Sequence, residues 1–509
     1  MIRRYSFTMR FFWLIGVAGC SFWVTDNEIQ ERTDADNDGY TGALYGGDDC
    51  VDDDSAVNPG ADEVCENGVN DDCGTIDTCR LTDKITLASY AAEIVPEVTG
   101  AVVSLGRLAD LDGDGADELL VGTQGAVHLV TGLDIEGDQT GTQSFSAFGP
   151  PIDSLGFGVS GAGDVDGDGD PDIVAGTTWD WFAPIDAWPG QAWIVHGIDD
   201  PLEVGASRIT EIFGDPYGDL FGSSVAGLGD MNGDGLDDVA VGAPAHAGFT
   251  GQVLVYFGRD EWPDERVSWD ALPLTGRIEG QGPGVALGRH VRAGGDVDGD
   301  DFDDLLVASP GFRVYLILGS ELTAFGAGAS TLAEIEFTSD ADNMSCIGDA
   351  IGGQGDFDGD GYSDILIGDP CVTEQTSGVY LVSGGVDMTD GLQDIADVAS
   401  LTIESEAMTV CIACSSLTFA PDVDGDGTDE IVLGAIEQGS RMIYGGSRAS
   451  SGTVLLPDGE DVFFAGPGWA AVGADVDGDG FGDLALSHAE PQENGMGFGS
   501  AFVYLGTGE

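Results

Sequence analysis

The string Asp164-Val165-Asp166-Gly167-Asp168-Gly169-Asp170-Pro171-Asp172 sets side-chain oxygens at positions 1, 3, 5 and 9 of a tight loop. A hard cation such as Ca²⁺ takes six to eight oxygens at roughly 2.3–2.6 Å, and glycine in the turn lets short aspartates converge on one point. The string recurs from Asp110, Asp230, Asp296, Asp356, Asp422 and Asp475. The candidate ligands are Asp110, Asp112, Asp114 and Glu118; Asp164, Asp166, Asp168 and Asp172; Asp230, Asn232, Asp234 and Asp238; and Asp296, Asp298, Asp300 and Asp304. They continue with Asp356, Asp358, Asp360 and Asp364; Asp422, Asp424, Asp426 and Glu430; and Asp475, Asp477, Asp479 and Asp483. An EF-hand is excluded, because it needs Glu at position 12 and flanking helices, whereas Val121 stands there within the strand-like run Leu119-Leu120-Val121. In the fourth loop Asp301 replaces the usual glycine and should be strained; in the third, uncharged Asn232 should weaken the site.

The loops recur every 53 to 66 residues, so each belongs to one repeated unit. The third copy reads most cleanly. Phe221 to Gly229 is a small-residue strand suited to a crowded axis, and Asp238-Val239-Ala240-Val241-Gly242 is a buried strand. Gly251 to Phe257 alternates as a third strand, and a more polar fourth lies near Thr275 to Glu279. Four antiparallel strands repeated seven times predict an all-β, seven-bladed propeller. The seventh unit runs out after its third strand, Ser500 to Leu505, while Lys84 to Ser89 precedes the first unit without a blade of its own. The latter should pair with the Val503 strand and close the ring, removing two sheet edges. Antiparallel order puts the acidic loops on one face and the loops between second and third strands on the other.

Phe221-Gly222 and Gly242-Ala243-Pro244 resemble the FG-GAP repeat of integrin α-chain propellers. Phe157-Gly158, Leu287-Gly288 and Ile347-Gly348 echo the first signature, and Ala308-Ser309-Pro310 and Gly368-Asp369-Pro370 the second. The resemblance covers residues 84–509 and is weakest in the first, sixth and seventh units, which lack Phe-Gly. It implies about seven Ca²⁺ ions and a ligand face opposite the acidic loops.

The 509 residues carry 92 acidic and 16 basic side chains, a formal charge of −76, which argues against nucleic acid and anionic lipid as partners. Seven Ca²⁺ ions would offset only part of it.

At the start, Arg3, Arg4 and Arg10 precede the apolar run Phe11 to Ala18, too short to span a bilayer and shaped like a secretion signal. Val17-Ala18-Gly19-Cys20 resembles a bacterial lipobox, implying a signal peptide over 1–19 and a lipid on Cys20; Ser21 favours the outer membrane. After a linker at 20–33, residues 34–80 form an acidic, cysteine-rich segment too poor in apolar residues for a core. It resembles Asp/Cys-rich metal-binding segments of exported bacterial proteins and, more distantly, thrombospondin type 3 repeats. Asp34, Asp36, Asp38, Asp48 and Asp49 are its candidate ligands, and Cys50, Cys65, Cys73 and Cys79 allow two bridges in any of three pairings.

No catalytic motif stands out. His128, His196, His246, His290 and His488 lie outside known motifs; His128 and His196 read as packed third-strand residues, and His246 and His488 fall in ligand-face loops. The second unit carries an aromatic insertion with Trp179, Trp181, Phe182 and Trp188, suited to sugar stacking or protein anchoring. Cys346, Cys371, Cys411 and Cys414 read as two bridges near the same face.

The sequence therefore points to an exported, lipid-anchored, calcium-stabilised scaffold at the outer membrane or cell surface, holding an extracellular protein or glycan. The alternatives are a lyase-like polysaccharide enzyme and a metal-sequestering surface protein. An enzyme needs a basic cluster on the ligand face, which so few basic residues do not obviously supply.

Overall fold

The computed structural model describes residues 84–85, 92–94, 102–111, 115–123, 126–130, 155–177, 190–197, 208–215, 218–263, 266–272, 276–320, 327–328, 335–339, 346–370, 377–385, 391–405, 416–434, 440–446, 452–456, 462–464, 471–492 and 495–506. These form seven sheets, one per acidic loop, arranged as a seven-bladed β-propeller. In the third blade the strands are Ser224–Gly229, Asp238–Ala243, Gln252–Tyr256 and Gly276–Glu279, paired antiparallel in that order.

Second strands such as Asp172–Thr177, Asp238–Ala243 and Asp304–Ser309 are buried at every position. Each sheet is packed on both faces by its neighbours, so these strands read as continuous apolar runs instead of alternating. The apolar clusters accordingly cross blade boundaries. One joins Ala226, Leu228 and Val253 of the third blade to Leu305, Val307 and Tyr315 of the fourth. Another joins Leu119 and Val121 of the first blade to Val476, Ala485 and Val503 of the seventh, so the ring is closed by packing. Each buried valine or leucine among them contributes roughly 1.5–3 kcal/mol.

First strands crowd the axis, and this explains their small residues. A Cβ on Gly161 would lie 2.6 Å from the Arg107 carbonyl oxygen of the preceding blade. The two signature glycines also meet across blades: a Cβ on Gly242 would overlap the carbonyl oxygen of Gly288, which itself sits at φ +84°. The register corrects one reading. Gly158 pairs with Gly176, whereas Ser224 pairs with the equivalent Gly242, so Leu155-Gly156 occupies the slot of Phe221-Gly222 and Phe157-Gly158 lies two residues out of phase.

The expected four strands gain a fifth in blades two to six, added parallel at the outer edge from the connection of the following blade. Arg266–Ser268 pairs with Arg208–Phe213, Ala327–Gly328 with Gly276–Glu279, Gly391–Asp394 with Ile335–Thr338, and Gly452–Leu456 with Leu401–Ser405. The first described strands complete this pattern and correct the closure expected from sequence. Lys84–Ile85 lies parallel on Val462–Phe464 as the fifth strand of the sixth blade. Ala92–Ile94, not Lys84 to Ser89, pairs antiparallel with the strand Gly495–Tyr504, setting Ala92 opposite Val503. The two segments together replace the third-to-fourth connection and the fourth strand of the seventh blade. The register is physical: Lys84 and Ile85 are taken by the outer edge of the preceding blade, which leaves the later residues to reach Val503.

The stretch expected to be a signal peptide, with Cys20, the acidic cysteine-rich segment with Asp34, Asp36, Asp38, Asp48 and Asp49, and the aromatic insertion with Trp179, Trp181, Phe182 and Trp188 lie outside the described residues. No helix among the described residues is long and apolar enough to cross a membrane.

Candidate metal centres

Each acidic loop is shaped by its own amides. In the second loop Asp164 accepts N–H bonds from Gly167 and Gly169 (2.7 and 3.0 Å), Asp166 from Asp168 (3.3 Å), and Asp168 from Asp170 (3.0 Å). The third loop repeats this from Asp230, Asn232 and Asp234, and the seventh from Asp475, Asp477 and Asp479. These bonds turn the free carboxylate oxygens toward one another. Ligand atoms of Asp164/Asp166/Asp168, Asp296/Asp298/Asp300, Asp356/Asp358/Asp360 and Asp422/Asp424/Asp426 each lie within 4.8 Å of one another, a spacing that can hold a metal ion. Asp112 and Asp114 lie outside the described residues.

The ninth position does more than the spacing announced. Asp172 accepts from Val165 N at the loop start and from Gly197 N after the third strand (2.9 and 2.7 Å), stapling loop to blade. Asp238, Asp304, Asp364 and Asp483 repeat both bonds. Burial, reinforced by neighbouring aspartates, pushes these carboxyls up to about 8 in Asp172 and Asp238 and about 7 in Asp304, Asp364 and Asp483. Burial likewise takes Glu430 to about 9. Glu430 Oε1, Asp422 Oδ1 and Asp358 Oδ1 are buried without a hydrogen-bond partner. Clustered oxygens that find no donor in the protein are the donor set a divalent cation fits.

Position 8 supplies a contact that the sequence reading missed. Asp237 donates its N–H to Asp164 O (3.0 Å) and accepts from Asp164 N (2.7 Å), gripping the loop of the preceding blade. Asp429 does the same to Asp356, and Ser363 and Gly482 donate to Asp296 and Asp422. Asp117 grips Asp475 in both directions (2.6 and 3.0 Å), so the first and seventh blades are latched 358 residues apart. Pro171 holds this position in the second blade and has no N–H to donate. The recurrence of Asp directly before the ninth position was the available signal.

The second loop has its own environment. His196 is packed, as its third-strand position suggested, yet its ring also reaches the loop: Nδ1 lies 3.4 Å from Asp166 Oδ2, and Asp166, Asp172 and His196 form a further possible metal group. Arg208 pairs with the same Asp166 oxygen. His128 is packed against the Thr123 hydroxyl (3.2 Å), and the His246 ring nitrogen lies 3.1 Å from an Arg277 nitrogen. Cys346 is disulfide-bonded, while Cys371, Cys411 and Cys414 lie outside the described residues. Basic residues, which the sequence did not obviously supply as a cluster on the ligand face, gather at the axial cavity as Arg289, His290 and Arg292.

Asp301 takes φ +70° where Gly169, Gly235 and Gly361 take +88° to +96°. Its backbone is left-handed, as the substitution required, and its N–H still donates to Asp296 (3.0 Å).

A closed propeller whose blade seams carry acidic, cation-ready hairpins defines the class of protein. The FG-GAP repeat model matches residues 221–256 and 288–330, and the FG-GAP-like repeat model matches 110–175. The chain carries FG-GAP repeats, and its propeller is of the kind found at the N-terminus of integrin α chains. It is 25% identical over 254 residues to integrin alpha pat-2 of Caenorhabditis elegans, covering 44% of this chain and 18% of that protein. Integrin alpha-V of Gallus gallus is 27% identical over 243 residues (46% and 21%), and integrin alpha-8 of Mus musculus 31% over 221 residues (40% and 19%). The chain thus spans about a fifth of the length of the curated relatives it matches. Among solved structures, the BBS1N complex with ARL6DN overlays at TM-score 0.42 and 10% identity over 82% of this chain and 97% of that one, too loosely to carry weight.

Proposed function

We propose that the protein is a calcium-stabilised binding and adhesion scaffold, exported, anchored through lipid on Cys20, and holding an extracellular protein or glycan on the face opposite the acidic loops. The observation that carries this is the placement of the cation-ready loops at the seams, where Asp237, Asp429 and Asp117 grip the neighbouring loop. Ions there serve the disc, and the opposite face is left for recognition. About seven Ca²⁺ ions at ten times their Kd would each add roughly 1.4 kcal/mol, together about 10 kcal/mol, comparable to the stability of a whole domain.

On this reading Trp179, Trp181, Phe182 and Trp188 supply anchors for the ligand, and the segment at 34–80, with Asp34, Asp36, Asp38, Asp48 and Asp49, binds further metal beside the membrane. The test is an array of glycans and matrix proteins probed with calcium-loaded protein, with polysaccharide-lyase assays alongside. Saturable binding that is lost on chelation and reduced by Trp181→Ala supports the scaffold. Cleavage of a polysaccharide, or no ligand in either assay, overturns it.

A further inference from the structure

The propeller axis encloses a cavity of about 710 Å³ lined by the first strands of the blades, within the size range of small-molecule sites. Most of that lining is glycine, serine and alanine, as the crowding requires. The fourth blade breaks the pattern: where the third has Ser223, Ser224 and Ala226, it has Arg289, His290 and Arg292, and all three line the cavity. Sixteen basic residues serve the whole chain against 92 acidic ones, so this concentration on one strand is not a matter of composition.

Arg289 enters at the mouth away from the acidic loops, because the strand His290–Gly295 runs from there down to Asp296. Arg292 follows about 10 Å deeper at 3.3 Å per residue. No carboxylate among the described residues lies within salt-bridge distance of either guanidinium. Arg292 donates to the adjacent Val291 carbonyl (2.9 Å), and among the described residues neither arginine forms a salt bridge. Asp349 acts on Arg289 only through space. The carboxylates that do line the cavity, Asp237 and Asp429, are at its acidic-loop end and are occupied by the amides of Asp164 and Asp356.

Two hydroxyls add to the donor set. Ser223 Oγ and Ser416 Oγ line the same cavity, are buried, and have no hydrogen-bond partner. Arg289 and Arg292 are exposed on the channel wall and His290 is half-buried, and the surrounding protein disfavours the charged forms of Arg292 and His290, taking His290 down to about 3. The imidazole is therefore neutral at pH 7, and the two guanidinium groups carry the charge.

We propose that the axial channel is a binding site for a small oxyanion-bearing ligand, a carboxylate or a sulfate, held by Arg289 and Arg292 with help from the Ser223 and Ser416 hydroxyls. A planar guanidinium fork matches the paired oxygens of such groups, and charge-assisted bonds are roughly twice as strong as neutral ones. The site is independent of the adhesion reading, since it uses the axis and not the face loops.

The test is calorimetric titration of the calcium-loaded full chain with sodium succinate and with sodium sulfate, against sodium chloride at matched ionic strength. Saturable binding of one equivalent is expected from at least one of them. Succinate alone assigns a carboxylate, sulfate alone a sulfate, and both a general oxyanion site. Arg289→Gln and Arg292→Gln should each weaken binding about tenfold or more, the usual weight of a hydrogen bond to a charged group. Arg277→Gln, on the outer strand of the third blade, should leave it unchanged. If the double variant does not fold, Arg292→Lys decides: it keeps the charge, loses the fork, and should bind several-fold more weakly. No saturable heat from either anion, or binding that the arginine variants leave within twofold, overturns the proposal.

Discussion

Asp172, Asp238 and their counterparts at the ninth loop position are buried carboxyls whose ionisation the fold opposes. Their folded pKa values of about 7 to 8, and about 9 for Glu430, exceed the ordinary value near 4, so they favour the metal-free fold below pH 4 and lose that contribution as pH rises toward 8. A bound cation reverses the sign, because it takes the ionised form and releases protons. The melting-temperature gap between calcium-loaded and chelator-treated protein is therefore expected to widen from pH 5 to pH 8, read by differential scanning fluorimetry; a constant gap would separate these acids from the ions. Asp301 offers a second residue-scale test. Asp301→Gly keeps the N–H bond to Asp296 and removes a left-handed Asp, which should raise stability by about 0.5–1 kcal/mol in calcium-loaded denaturation. The converging carboxylates were legible at this scale because side-chain spacing alone brings them together. The orienting role of the ninth acid was not, since its partners, Val165 N and Gly197 N for Asp172, come from both ends of a blade.

Among the elements, the acidic hairpin is both a cation-ready loop and a latch. Asp429 joins two hairpins at once, accepting from Asp356 N (2.9 Å) and from Asp422 N (3.2 Å). Asp429→Ala leaves both amides without that acceptor and should cost roughly 1–3 kcal/mol, measured as a lower denaturation midpoint in saturating calcium. Were the latch incidental, the midpoint would not move. Strand identities were readable from local pattern, since the two-face burial of second strands leaves a signature in Leu119-Leu120-Val121 and Asp238 to Gly242. The phase of the first signature in the second blade was not. Phe157-Gly158 looks like the motif, but the pairing of Gly158 with Gly176 gives the slot to Leu155-Gly156.

Over the whole molecule, closure depends on the segment before the first blade. Lys84–Ile85 extends the sixth blade and Ala92–Ile94 completes the seventh, while Asp117 latches Asp475 from within the first. Removing residues 1–79 should leave the melting temperature of the propeller nearly unchanged. Removing 1–95 exposes two sheet edges, and a fall in melting temperature with concentration-dependent association is expected by light scattering. Equal behaviour of the two truncations would contradict this closure.

Sequence by itself determined the repeat, the seven acidic loops and hence the propeller, because those depend on spacing within a few residues and on a period that recurs. Only the tertiary structure decided which strand closes the ring, which loops grip which neighbours, and that Arg289, His290 and Arg292 share the axis with hydroxyls from other blades. Those facts depend on residues far apart in the chain competing for the same partner, and a linear pattern carries no record of which competitor wins.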